Sequence, residues 1–161
     1  MKKIRNIVIG IVTLAILGYF GAGYVIWDRL TKVPAPKAEQ AQNTPANFKM
    51  TYKEYAGFDT FPYFVSSYDT VTFPSRQAGI NLSGWYMEVD PAAPVIIVTH
   101  GKDASKRAEN VLVPAGMLAH NGFNVLMYDF RNHGESDHDN DRYGVGNKEY
   151  LDVLGAWDWL V

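Results

Sequence analysis

The chain has 161 residues, 47% of them hydrophobic and 20% charged, with a formal net charge of −2 and a pI near 6.0. That is enough for one modest globular domain, and the weak negative charge leaves no electrostatic footprint for nucleic acid. The absence of cysteine excludes disulfides, CxxC redox motifs and cysteine-type zinc sites.

The first predicted element is the run from Ile7 to Trp27, 21 residues without a charged side chain. A helix of that length crosses a hydrocarbon core about 30 Å thick at about 1.5 Å per residue. Lys2, Lys3 and Arg5 precede it, and Asp28, Arg29 and Lys32 follow with charges that partly cancel. The excess of basic residues before the run places the N-terminus in the cytoplasm and the remainder outside. Tyr24 and Trp27 suit the far interface. A cleaved signal peptide is the competing reading, with Gly21-Ala22-Gly23 as a poor cleavage site.

Pro34 to Asn47 is rich in Pro, Ala and Gln, lacks apolar periodicity, and reads as an extended tether. The expected organisation is therefore a basic flank and transmembrane anchor over 1–30, a flexible linker over 31–47 and a folded domain over 48–161. The domain opens on a segment with aromatics at Phe48, Tyr52, Tyr55, Phe58, Phe61, Tyr63, Phe64 and Tyr68. Either they form a ligand or lipid surface or they cover an edge of the domain, as aromatics do in ordinary packing. Thr51 and Glu54 match a capping box, which predicts a short helix there.

DTVTF (69–73) and NLSGWYMEV (81–89) are β-rich and separated by the turn-forming PSRQAG, which predicts a half-buried antiparallel hairpin. PVIIVT (94–99) is apolar on both faces, as a strand covered on both sides would be. A helix follows over roughly 106–121, with Ser105 as N-cap, Leu112, Ala115, Leu118 and Ala119 on its buried side, and Pro114 at a kink or at the first turn of a new helix. Asn121-Gly122 stops it. NVLMYD (124–129) is a second apolar strand, so 94–129 is a βαβ unit with parallel strands. A loop over 131–146 leads to a last helix from about Asn147, with Tyr150, Val153, Leu154, Trp157, Leu160 and Val161 as its expected buried stripe.

VIIVTHGKDASK, then LAHNGFNVLMYDFRNHGES, then GNKEYLDVLGAWDWL resemble the N-terminal half of serine hydrolases with the α/β-hydrolase fold. The resemblance covers residues 69–161. It implies an α/β fold with a partial α/β-hydrolase sheet, an antiparallel hairpin followed by a parallel βαβ unit, behind an N-terminal transmembrane helix. Acyl transfer builds negative charge on a carbonyl oxygen, and in such enzymes one stabilising N–H comes from the loop after the third strand. By resemblance that donor is the amide of Lys102, with Gly101 and Asp103 beside it facing substrate. Gly101 suits a backbone that must approach a ligand. His100, Arg131, His133, Gly134 and Ser136 are then structural loop residues. His100 is not the expected base, because the base of the family comes late in the chain.

No G-x-S-x-G occurs in the sequence. Ser136, in GESDH, is one residue short of that pattern and follows the wrong strand to be the nucleophile. Ser66, Ser67, Ser75, Ser83 and Ser105 lie in no such context either. The nucleophile, acid and base are therefore expected beyond Val161, in a longer membrane-anchored, extracytoplasmic hydrolase of which this chain is an N-terminal fragment, inactive alone. Its substrate would be a small ester or amide, with no cofactor. The alternative is a complete, non-catalytic tethered module that binds or supports. Asp137, Asp139 and Asp141 resemble the start of a calcium loop, but Arg142 and Lys148 stand where Gly and Glu are required, so no metal is expected. Gly144-Val145-Gly146 does not open a dinucleotide fingerprint.

Overall fold

The computed structural model describes residues 1–35 and 37–161; Pro36, within the segment read as a tether, lies outside the described residues. The chain divides into two compact units, Met1–Lys32 and Val33–Val161. The first is one helix, α1 (Lys2–Thr31), with no buried residue. Its mean hydropathy reaches 2.0, and among the described residues it is the one helix long and apolar enough to cross a membrane. The hydroxyls of Thr13 and Thr31 donate to the Ile9 and Trp27 carbonyls, so neither is left without a partner in an apolar setting.

The second unit is built on four strands: β1 (Asp69–Pro74), β2 (Asn81–Met87), β3 (Val95–Thr99) and β4 (Asn124–Tyr128). Their order is β1-β2-β4-β3. β1 and β2 form the expected antiparallel pair, in register from Asp69 opposite Tyr86 to Pro74 opposite Asn81. β3 and β4 run parallel, from Val95 beside Asn124 to Thr99 beside Tyr128, and α2 (Glu109–His120) links them. β2 closes the sheet by pairing antiparallel with β4.

β4 is the strand with helices on both faces. Val125 and Met127 face one core with Trp85, Met87, Leu112 and Ala115 of α2. Leu126 and Tyr128 face the other, with Phe73, Leu82 and Ala156 of α3 (Glu149–Leu160). Every β4 residue is buried, which is why the strand reads as a continuous apolar run. β3 is also apolar but lies at the sheet edge, with Val95–Val98 half-buried and Thr99 exposed. Both of its faces are nonetheless packed, Val98 against the first core and Val95 and Ile97 against the second.

Several element boundaries also differ from expectation. α2 begins at Glu109, not near Lys106, with Ala108 in extended conformation as its N-cap, and the Lys106 amide donates to Asp129. Pro114 lies inside α2, which continues unbroken to His120, with Asn121 as C-cap and Gly122 following at φ +85°. Thr51 does not cap a helix: only a single 3-10 turn forms at Lys53–Tyr55, and the Thr51 hydroxyl donates to Glu109 at 2.5 Å.

α3 presents another face than predicted. It buries Glu149, Asp152, Gly155 and Ala156, while Tyr150, Val153 and Trp157 are exposed. A polar anchor and small residues allow it to lie against the end of β1, where a Cβ on Gly155 would run into the Pro74 carbonyl.

Part of the segment read as an extended tether is laid onto the domain. Ala38–Gln40 form a 3-10 turn, and Gln40 and Asn43 are buried. Gln40 Nε2 donates to Glu109 at 2.5 Å, Asn43 Nδ2 donates to the Arg107 carbonyl at 3.1 Å, and the Val65 amide donates to the Pro45 carbonyl at 2.8 Å. These anchors are polar and leave no hydrophobic periodicity to read.

Candidate functional site

β3 delivers the chain into the loop 100–108 ahead of α2, beside the loop 129–146 that follows β4. The two are fastened together. The Phe130 amide donates to His100 Nε2 at 3.0 Å, and His100 Nδ1 lies 2.8 Å from the Gly101 carbonyl. A ring nitrogen that accepts carries no proton, so Nδ1 bears the hydrogen and donates it to Gly101. The ring is therefore neutral. Burial lowers its pKa, and the bond to Gly101 only partly offsets this. The His100 ring lies 4.9 Å from that of His133 and 5.2 Å from that of Phe130. With both nitrogens engaged, His100 has none left to take a substrate proton.

The far end of the same loop is held by Asp129. Its Oδ1 accepts the Lys106 amide at 2.7 Å, and its Oδ2 accepts Lys106 Nζ at 2.6 Å and the Glu135 amide at 2.9 Å. Gly134 packs against this carboxylate with φ +53°, where a Cβ would collide with it. Glycine is required there for both reasons. Residues 100–106 are thus a span clamped at both ends.

Between the clamps, Lys102 and Asp103 stand apart. Lys102 Nζ pairs with the Asp103 carboxylate at 2.6 Å, and Asp103 has φ +61°. Their backbone amides have no acceptor among the described residues. A Cβ on Gly101 would meet nothing within 4 Å, so the chain's own packing does not demand glycine at that position.

The remaining residues singled out from the sequence are engaged. The Ser136 hydroxyl donates to the Asp129 carbonyl at 2.5 Å and accepts the Ser83 amide at 2.9 Å, and the residue is 4% exposed. Arg131 is buried against Asp152, Nη2 to Oδ1 at 2.6 Å, and also donates to Ser75 Oγ and Gln77 Oε1. His133 donates from Nδ1 to the Arg131 carbonyl at 2.9 Å. Its buried Nε2 has no partner among the described residues. His100, Arg131, His133, Gly134 and Ser136 therefore gather around Asp129 and α3, while Gly101, Lys102 and Asp103 reach outward from them.

Sequence reasoning passed over the centre of this network. Lys106 has no exposed side-chain surface, and its Nζ contacts Asp129, Glu135 at 2.8 Å and Ser83 Oγ at 3.1 Å, above the Trp85 ring. Arg107 joins Glu135 at 2.6 Å. The hydrogen bonds from Lys106 and Arg107 pull the Glu135 carboxyl down to about 2. Glu109, buried in α2, accepts from Gln40 and Thr51; burial pushes its carboxyl up, but the hydrogen bonds outweigh that and leave it below its ordinary value. In sequence, Lys106 looks like a solvated first helical residue. Asp129 at the end of an apolar strand was the one available signal.

The acidic loop is also accounted for. Asn132 Oδ1 accepts the Asp139 amide at 2.8 Å, and the Asn132 side-chain amide donates to Asp139 and Asn140. Lys148 pairs with Asp139 at 2.8 Å. Among the described residues no three His, Asp or Glu side chains converge as metal ligands.

This arrangement of strands and loops is similar to that of solved esterase structures. The Pyrococcus furiosus esterase Pf2001 superposes with a TM-score of 0.53 at 25% identity, over 81% of this chain and 41% of that one. The chain has the α/β-hydrolase fold. An α/β-hydrolase, GrgF from a Penicillium species, matches over 58% of this chain with a TM-score of 0.52 and 23% identity, covering 32% of that protein. An Agrobacterium tumefaciens protein of unknown function, proposed to be an α/β-hydrolase, matches at 26% identity and a TM-score of 0.51, over 57% of this chain and 42% of its own length. This chain thus spans less than half the length of each of these three proteins. No protein-family model and no curated protein matches the sequence. In this chain the loop after β3 is the clamped span 100–106.

Proposed function

We propose that this chain is the N-terminal part of a membrane-anchored serine hydrolase of the esterase or peptidase type, with 7–27 as a retained single-pass anchor, the N-terminus cytoplasmic and the domain outside. The observation that carries the reading is the pair of unengaged amides at Lys102 and Asp103, on a loop that His100 and Lys106 hold at both ends. Hydrolysis of a small ester or amide passes through a tetrahedral oxyanion, and a preorganised amide stabilises that charge by about 2.7–4 kcal/mol. The Lys102 amide is the donor, flanked by Gly101 and Asp103. A nucleophile, an acid and a base are needed as well. Ser136 cannot be that nucleophile, since its hydroxyl proton is given to the Asp129 carbonyl and the residue is buried. The triad then comes from residues that follow Val161 in the longer protein.

The test is to read the coding sequence past codon 161 and to treat the resulting protein with a fluorophosphonate probe. A G-x-S-x-G serine that labels supports the proposal. Lys102→Pro, which deletes the amide hydrogen, should then lower kcat about 10²–10³-fold while Lys102→Ala leaves it near normal. A stop codon with no such motif in any nearby frame, or equal activity of the two variants, rejects it.

A further inference from the structure

The eight aromatics of residues 48–68 divide into two sets. Phe48, Tyr63, Phe64 and Tyr68 pack on the core beneath α2. Tyr52, Tyr55, Phe58 and Phe61 face outward at 38%, 53%, 42% and 74% exposure. Two of the outer rings are held from within: Phe58 stacks on Tyr63 with centroids 5.6 Å apart, and Phe61 meets the edge of Phe64 at 5.8 Å. Four large aromatics within ten residues form a fixed apolar prominence, and such patches mark contact surfaces.

Three observations say what covers it. The prominence lies beside the point where the chain enters the domain: Lys37, four residues after Val33, holds Nζ 5.3 Å from the Tyr52 ring. The same chain carries α1, long and apolar enough to span a bilayer. The side chains are tyrosines and phenylalanines flanked by Lys49 and Lys53, the composition of interfacial anchors, whose amphipathic rings and long basic stems settle at headgroup depth. Lys49 and Lys53 are balanced by Glu54 and Asp59, so the contact does not depend on anionic lipid.

We propose that residues 52–61 are a second membrane contact, seating these rings in the interfacial layer of the bilayer that α1 crosses. This inference rests on the anchor reading, not on the hydrolase reading. It would keep the second unit resting on the membrane surface.

Because the chain has no cysteine, a single introduced cysteine reports cleanly. Full-length protein carrying a bimane at Ala56→Cys is reconstituted in phosphatidylcholine vesicles containing nitroxide lipids, with Ala15→Cys in α1 as the anchor control. The Ala56 label should be quenched by a shallow nitroxide more than by a deep one, at low and high salt alike. Tyr55→Ser with Phe61→Ser should abolish that quenching, whereas Phe61→Trp should preserve it; near-UV circular dichroism in detergent checks that the fold is kept. Quenching at Ala15 but not at Ala56 overturns the proposal alone. A blue-shifted Ala56 label that no nitroxide reaches also overturns it, in favour of a protein partner or a second copy. Loss of both signals overturns the anchor and the loop together.

Discussion

His100 illustrates how much one side chain's role depends on its partners. In sequence, a His-Gly pair after an apolar strand is compatible with a turn or with catalysis. The Phe130 amide decides the matter by donating to Nε2, which fixes a neutral tautomer. An unfolded histidine titrates near 6.5, and burial places that of His100 lower. Between those values the unfolded chain binds more protons, so this contribution to stability is complete above about 6.5 and is lost as pH falls. His100→Gln should flatten that part of the profile of urea midpoint against pH; an unchanged slope would contradict the assigned tautomer. Glu135 has the same sign in a lower window. Its contribution is present above an ordinary carboxyl value of 4.5 and fades as pH falls toward about 2, and Glu135→Gln should remove it from the acid limb of the curve. The buried pair Arg131–Asp152 offers a sharper contrast. Asp152→Ala leaves a guanidinium without compensation and should cost about 3–5 kcal/mol in urea unfolding, while the double change Arg131→Met with Asp152→Leu should cost less.

Helices and strands were readable wherever one face simply had to be apolar. The hairpin and the βαβ unit follow from period and turn residues, and the structure contains both. α3 was misread in part: of its large residues Trp159 stacks on Phe73 and Leu160 packs on the second core, but much of the expected stripe faces outward. Tyr150, Val153 and Trp157 recur at helical spacing, yet Asp152, Gly155 and Ala156 form the docked face. Close approach favours small residues, and a buried carboxylate is tolerated where an arginine meets it. Gly155→Ala should therefore force α3 from the end of β1 and cost about 1–3 kcal/mol, read as a lowered thermal midpoint. The same substitution at Gly116, where a Cβ would run into the Tyr63 carbonyl, should act likewise between α2 and the aromatic segment. Neutral outcomes at both positions would mean that these helices yield more easily than their packing implies.

In the assembled unit, β4 is internal and β3 is an edge, although both strands read as apolar runs. Amide exchange should distinguish them, with β4 the most protected strand and the outward amides of β3 exchanging far sooner; equal protection would mean that the β3 edge is covered. Composition, hydrophobic period and turn residues were sufficient for the apolar N-terminal helix, the hairpin and the βαβ unit, because each is a local property of consecutive residues. The pairing of β2 with β4, the docking of 38–47, the buried Lys106 between Asp129 and Glu135, and the separation of inner from outer aromatics depend on contacts between residues far apart in the chain. Those contacts are polar, small or one-sided. Such features leave no periodic mark in a sequence, and only the folded chain brings their partners together.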